Sequence, residues 1–263
     1  IITVLDYGEI TVEAQEATRG RLVAGSPYLV MEYASGGSLG RVRLVRTWRR
    51  LQDILLGLLD ALAHAHARGV VHRDLKPANV LRCTSEDLRP GIKLTDWGIA
   101  HDVRRAEQGN AAGTLHYMSP EQIQGAWRDY GPWTDLYGLG CLAFRLVTGQ
   151  RPYAGLDPHE VVRAQLRDAP PPLDPQTPVP AGFHWWVHTL MAKSPRQRFR
   201  RAADAASALL ELGDPATPGR APMSSRLTAL EPMTHTTTQI ALDVAVSRDA
   251  LVHAPGDTLP RPP

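Results

Sequence analysis

The string HRDLKPAN at residues 72–79 sets a carboxylate (Asp74), an ammonium (Lys76) and a carboxamide (Asn79) close together in one short stretch. Apolar pairs flank it, Val70-Val71 before and Val80-Leu81 after, so the polar groups fall where the chain should turn between short strands. A tight turn can aim a proton acceptor, a cation and a neutral oxygen donor at one point. A second carboxylate, Asp96 in TDWG (95–98), closes another apolar run, GIKL (91–94). Such a constellation would act by position and charge rather than through a nucleophile of its own.

These loops need elements to hold them. IITVLDYG (1–8) and SPYLVMEYA (26–34) read as paired strands, with Gly20 and Gly25 in a polar stretch that can turn a hairpin. A glycine-rich break, ASGGSLG (34–40), precedes a helical pattern from about Thr47 to Arg68, with Leu51, Ile54, Leu55, Leu58, Leu62 and Ala65 on one face. VVHRDLKPANVLRC (70–83) and GIKLTDWGIA (91–100) read as short strands around polar turns. A buried helix is expected over Thr134–Val147, stopped at Thr148-Gly149, with further helices near 157–168, 182–192 and 201–212. The expected fold class is α+β, with partial strands first and mostly helix after.

Composition narrows the function classes. With 43% hydrophobic and 21% charged residues, the 263-residue chain can bury a sizeable core. The formal charge of +2 gives no field to attract nucleic acid or an anionic membrane. Cys83 and Cys141 lack metal-ligand spacing, which points to a reducing, cytoplasmic setting. No apolar run reaches the length of a membrane span, and no signal peptide opens the chain. Past Gly213 the composition turns to Pro, Thr, Ala and Arg, so 213–263 reads as a flexible tail with a threonine cluster, THTTTQ (234–239).

HRDLKPAN is similar to the catalytic loop of eukaryotic-type serine/threonine protein kinases, and the overall style resembles bacterial members of that family. The resemblance runs to about residue 212 and divides the chain into a partial small lobe and hinge (1–34), a helical large lobe (35–212) and the tail (213–263). It implies ATP, with Mg2+ or Mn2+, as cofactor and Ser/Thr side chains of proteins as acceptors. Asp74 would then lie beside the attacking hydroxyl, Lys76 near the transferring phosphoryl group, and Asn79 and Asp96 would ligate the metal. Trp97 stands where the family's motif has phenylalanine, keeping a large apolar side chain to pack on His72.

The resemblance also assigns the supporting residues. Met31 would guard the back of the nucleotide pocket, the Glu32 carbonyl and Ala34 amide would meet the adenine edge, Ser38 would face the ribose and Leu81 would lie under the base. GTLHYMSPE (113–121) looks like the end of an activation segment, with Thr114 on the peptide side and Glu121 paired to Arg198 in SPRQRF (194–199). Asp135 in TDLYGLG would accept backbone N–H bonds from the catalytic loop. Arg73 would answer a phosphate on the activation segment, yet residues 99–113 contain no Ser, Thr or Tyr; either Glu107 or Asp102 offers a permanent negative charge instead, or the loop needs no switch.

Two patterns are discounted. GGSLG (36–40) lacks the context and lysine of a phosphate loop, and His64, His66 and His72 do not read as a zinc cluster, since the first two lie on the long helix before the catalytic loop and fit packing positions of the family. A whole kinase also carries a glycine-rich loop, a strand lysine and a helix glutamate, none of which these residues include. The only lysines are Lys76, Lys93 and Lys193. The first residue is Ile1, so the expectation is a chain beginning inside a longer product, and the resemblance to bacterial kinases implies a membrane anchor beyond its C-terminus. The alternative is a non-catalytic, kinase-like binding module. Oligomeric state is not legible.

Overall fold

A computed structural model describes residues 1–42, 44–97 and 112–215. The tail, with its threonine cluster, and residues 98–111, with Asp102 and Glu107, lie outside the described residues.

Strand β1 (Val4–Glu9) runs antiparallel to β2 (Pro27–Met31), Val4 opposite Met31 and Glu9 opposite Pro27, with an irregularity between Val4 and Asp6. The segment between them is not a simple hairpin turn. It contains a short helix, α1 (Val12–Ala17), because the Thr11 hydroxyl caps the Ala14 amide and the Gln15 side chain bonds the Ala24 amide.

Helix α2 (Trp48–His66) starts at Thr47, whose hydroxyl accepts from the Arg50 amide, and buries Leu51, Leu55, Leu58 and Leu62 completely. Beyond it the chain departs from the strand reading: residues 70–76 form no strand, and only β3 (Val80–Cys83) pairs antiparallel with β4 (Gly91–Leu94). The polar loop therefore hangs from one strand and is fixed by side chains rather than by a ladder.

Short helices α3 (Ala112–Leu115) and α4 (Pro120–Ile123) lead into α5 (Pro132–Thr148), the central rod of the core. Leu136, Tyr137, Leu139, Cys141 and Leu142 of α5 are fully buried, so it reads as hydrophobic nearly all round. It ends at Gly149, whose φ of +76° suits the left-handed C-cap. Helices α6 (Pro158–Arg167), α7 (Phe183–Leu190) and α8 (Ala202–Glu211) complete the helical layer. Trp48 meets Phe183 edge-on at 5.1 Å, and the Trp186 indole donates to the Ala205 carbonyl, locking α2, α7 and α8 around α5.

Candidate active site

The loop before β3 is positioned from 60 residues away. The Asp135 carboxylate, on the first turn of α5, accepts from the His72 amide at 2.8 Å and the Arg73 amide at 2.7 Å. It also accepts from His66 Nε2 at 2.8 Å, at the last turn of α2. One buried carboxylate thus binds two backbone donors that no strand partner satisfies. Gly138 lets α5 come this close, since a Cβ there would lie 3.2 Å from Leu75 Cβ and 3.3 Å from the Leu75 carbonyl.

His72 ties the two polar motifs together. Its Nδ1 accepts from the Asp74 amide at 3.2 Å, which places the ring proton on Nε2, and that proton goes to the Thr95 carbonyl at 2.8 Å. The ring packs edge-on against Trp97 at 4.7 Å, and the Trp97 indole donates to the Leu94 carbonyl. Arg73 and Asp96 both take positive φ, +68° and +61°. Non-glycine residues adopt that region only under tertiary constraint, here the Asp135 bonds for Arg73 and the anchored neighbours Thr95 and Trp97 for Asp96.

The loop gathers four side chains. Asp74 is 8% exposed and Asn79 3%. Lys76 Nζ lies 2.8 Å from Asp74 Oδ2 and donates to the Thr114 hydroxyl at 3.3 Å. Asn79 Nδ2 donates to Asp74 Oδ2 at 2.8 Å and to the Asp74 carbonyl at 2.9 Å. That orientation commits the amide nitrogen and leaves the amide oxygen for a hard cation. Asp96 is exposed, and among the described residues its Oδ1 accepts a long bond from the Thr95 hydroxyl at 3.5 Å and no other side-chain hydrogen bond. The donor set of a carboxamide oxygen and a carboxylate fits a divalent, oxygen-loving ion.

The strip from Met31 to Ser38 faces β3. Met31 Sδ receives the Thr95 hydroxyl at 3.7 Å, Ser38 bridges Leu81, and the Gly36 amide donates to the Arg82 carbonyl at 3.0 Å. The Glu32 side chain turns away from the strip, accepting from the Thr3 amide and hydroxyl, with Lys93 at 3.8 Å; these bonds and the nearby cations hold its carboxyl low against the opposing cost of burial. Among the described residues, the Glu32 carbonyl and the Ala34 amide take no backbone partner. They are free to hydrogen-bond a flat ligand.

Far from the loop, Arg198 and Glu121 pair fork to fork, Nη1–Oε1 at 2.8 Å and Nη2–Oε2 at 2.9 Å, both buried. Gln122, the next residue, donates to the Arg73 carbonyl at 2.6 Å, so the pair and the loop are parts of one scaffold.

Sequence reasoning passed over two residues. His66 was discounted as packing, yet its ring is on Asp135. Asp87, in the turn between β3 and β4, accepts from the Ser35 amide at 3.1 Å, the Ser35 hydroxyl at 2.8 Å and the Thr84 amide at 2.6 Å. Despite some desolvation, those bonds hold its carboxyl below the ordinary range. The only local signal is the polar connecting loop SEDLRP (85–90), which says nothing about a partner 52 residues away.

A model of the protein kinase domain matches residues 15–207. The chain belongs to the protein kinase family. It is similar to the serine/threonine-protein kinase PknA of Mycobacterium tuberculosis, 34% identical over 255 residues, which covers 93% of this chain and 55% of the relative. A probable serine/threonine-protein kinase PknB of Corynebacterium glutamicum is 32% identical over 260 residues, 93% of this chain and 38% of the relative. The chain spans about half the length of the first of these relatives and less of the second. No helix among the described residues is long and apolar enough to cross a membrane.

Proposed function

We infer that this kinase-family chain carries the catalytic lobe of a serine/threonine protein kinase, which transfers the γ-phosphoryl group of ATP to Ser and Thr hydroxyls of proteins. The observation that carries the reading is the chain of contacts in which Asp74 meets both Lys76 and Asn79, and Lys76 in turn meets Thr114. Asp74 orients the incoming hydroxyl and takes its proton as the hydroxyl oxygen bonds the γ-phosphorus and the bridging P–O bond to ADP breaks, with ADP leaving. Lys76, bridging Asp74 and Thr114, brings positive charge to that point and ties it to the peptide-binding side. Asn79 and Asp96 would hold Mg2+, with Mn2+ as a substitute, and the ion would neutralise the phosphate oxygens when bound. The Glu32 carbonyl and Ala34 amide would read the adenine edge, with Met31 behind, Leu81 beneath and Ser38 toward the ribose. Asp135 and the Glu121–Arg198 pair position the loop, and Arg73 links it to α4.

A cytoplasmic setting agrees with two unpaired, buried cysteines and with the use of ATP. The test is phosphate transfer from ATP to a Ser/Thr peptide by the full-length protein and its Asp74→Asn variant. Loss of a positioned base should lower the rate about 10²–10⁴-fold without abolishing nucleotide binding. Equal transfer by the variant would sink the assignment, and nucleotide binding without transfer by either would favour the non-catalytic module.

A further inference from the structure

Away from the catalytic loop, a cleft of about 680 Å3 opens between α4, the turn before α5 and the segment that joins α7 to α8. Three of its lining residues are arginines from two stretches: Arg128 in the turn Trp127–Asp129, and Arg196 in the turn Pro195–Gln197 with Arg200 just beyond it. All three are exposed, and among the described residues none lies within ion-pair distance of a carboxylate. The two acidic residues of the lining do not cancel them. Glu121 is spent on Arg198 and the Thr134 hydroxyl, which leaves Asp129 alone against three guanidinium groups and the nearby Lys193.

We propose that this cleft docks a Ser/Thr-phosphorylated segment of a protein substrate, so that a chain phosphorylated once is held for a further transfer. The proposal rests on the kinase reading above for its substrate, but its binding chemistry stands by itself. Planar guanidinium forks match a phosphate monoester dianion in geometry as well as charge. The chain's formal charge is only +2, so positive potential concentrated in one cleft favours a local anion over a long polyanion. Trp127, 67% exposed under the Arg128 guanidinium, gives apolar surface for residues beside the phosphate. The cleft also communicates with chemistry: α4 contributes Glu121 to its wall, while Gln122 of the same helix bonds the catalytic loop at the Arg73 carbonyl.

The experiment is fluorescence anisotropy of a labelled phosphothreonine peptide and its unphosphorylated twin on the full-length protein, at low and moderate salt. Variants are Arg196→Glu/Arg200→Glu and the charge-keeping Arg196→Lys/Arg200→Lys. The expected result is tighter binding of the phosphopeptide by about tenfold or more, loss of that margin in the Glu pair, an intermediate value in the Lys pair, and unchanged transfer to a short unphosphorylated peptide. Inorganic phosphate should compete only at far higher concentration. Equal binding of both peptides, or unchanged phosphopeptide binding by a folded Glu pair, would overturn the proposal, as would equal displacement by single-stranded RNA of the same charge. Because binding needs no transfer, a catalytically dead protein that still discriminates the two peptides would refute the kinase reading and leave this one standing.

Discussion

Replacing Arg198 with methionine should be among the most damaging single changes outside the catalytic loop. The guanidinium is fully buried at the side chain and donates five hydrogen bonds: two to Glu121, and one each to the carbonyls of Ala192, Trp133 and Lys193. Methionine fills much of the volume but donates nothing. Glu121, 4% exposed at its side chain, keeps only the Thr134 hydroxyl at 3.0 Å. An uncompensated buried carboxylate costs about 3–5 kcal/mol, while water entering through the adjoining cleft can rescue some of the three carbonyls, so the lower half of that range is expected. For a domain of this size that lowers Tm by roughly 10 °C. The assay is urea unfolding followed by tryptophan fluorescence and far-ultraviolet circular dichroism. A decisive companion is Glu121→Leu/Arg198→Met. If the orphaned charge causes the loss, the double variant regains at least about 1 kcal/mol over Arg198→Met, since an apolar pair in place of a buried ion pair is often near neutral. A loss below about 1 kcal/mol in the single variant, or a double variant weaker than it, refutes the reasoning.

Two further expectations concern the hinge and a buried amine. Asp87→Ala releases Ser35 next to Ala34 and should raise the KM for ATP several-fold while kcat holds; equal falls in kcat and kcat/KM would show that Asp87 does not act through the nucleotide strip. Lys193 donates to the Tyr137 and Tyr153 hydroxyls and the Ala164 carbonyl, and burial, the dominant cause, lowers its ammonium to about 8. Above pH 8 the folded protein releases this proton while the unfolded chain holds it to about 10.4, so the group's penalty is full below pH 8 and fades as pH rises through that window. The neighbours Cys141, Tyr137 and Tyr153, all shifted upward by burial, pull the other way, and they largely cancel in the difference between wild type and Lys193→Met. The stability of Lys193→Met relative to wild type should therefore fall between pH 8 and 10; a difference constant over that range contradicts it.

How much was legible depends on how far each interaction reaches along the chain. The string HRDLKPAN needs only its own eight residues to be read, and the helices from Trp48, Pro132, Pro158, Phe183 and Ala202 follow from apolar spacing, the first three with a capping side chain or a proline at the start. Where the reading strayed, a nonlocal partner decided. Residues 9–25 looked like a turn, but a side-chain cap and the Gln15–Ala24 bond made a helix of part of it. A short strand was expected before the polar turn, at Val70-Val71, but none forms there, and the His72 and Arg73 amides that follow go to the Asp135 carboxylate instead of a neighbouring strand.

By itself, then, the amino-acid order determined which groups are available for chemistry and which segments can bury an apolar face, since both are carried by spacing over a few residues. Only the tertiary structure decided that Asp87 grips Ser35, that His66 shares Asp135 with the catalytic loop, and that Arg128, Arg196 and Arg200 line a single cleft. These are meetings of distant residues: Ser35 and Asp87 stand 52 positions apart and His66 and Asp135 69, and Arg128 comes from a stretch of chain remote from Arg196 and Arg200. Spacing along a chain has no term for them, because they exist only once the buried rod of α5 has drawn the surrounding elements together.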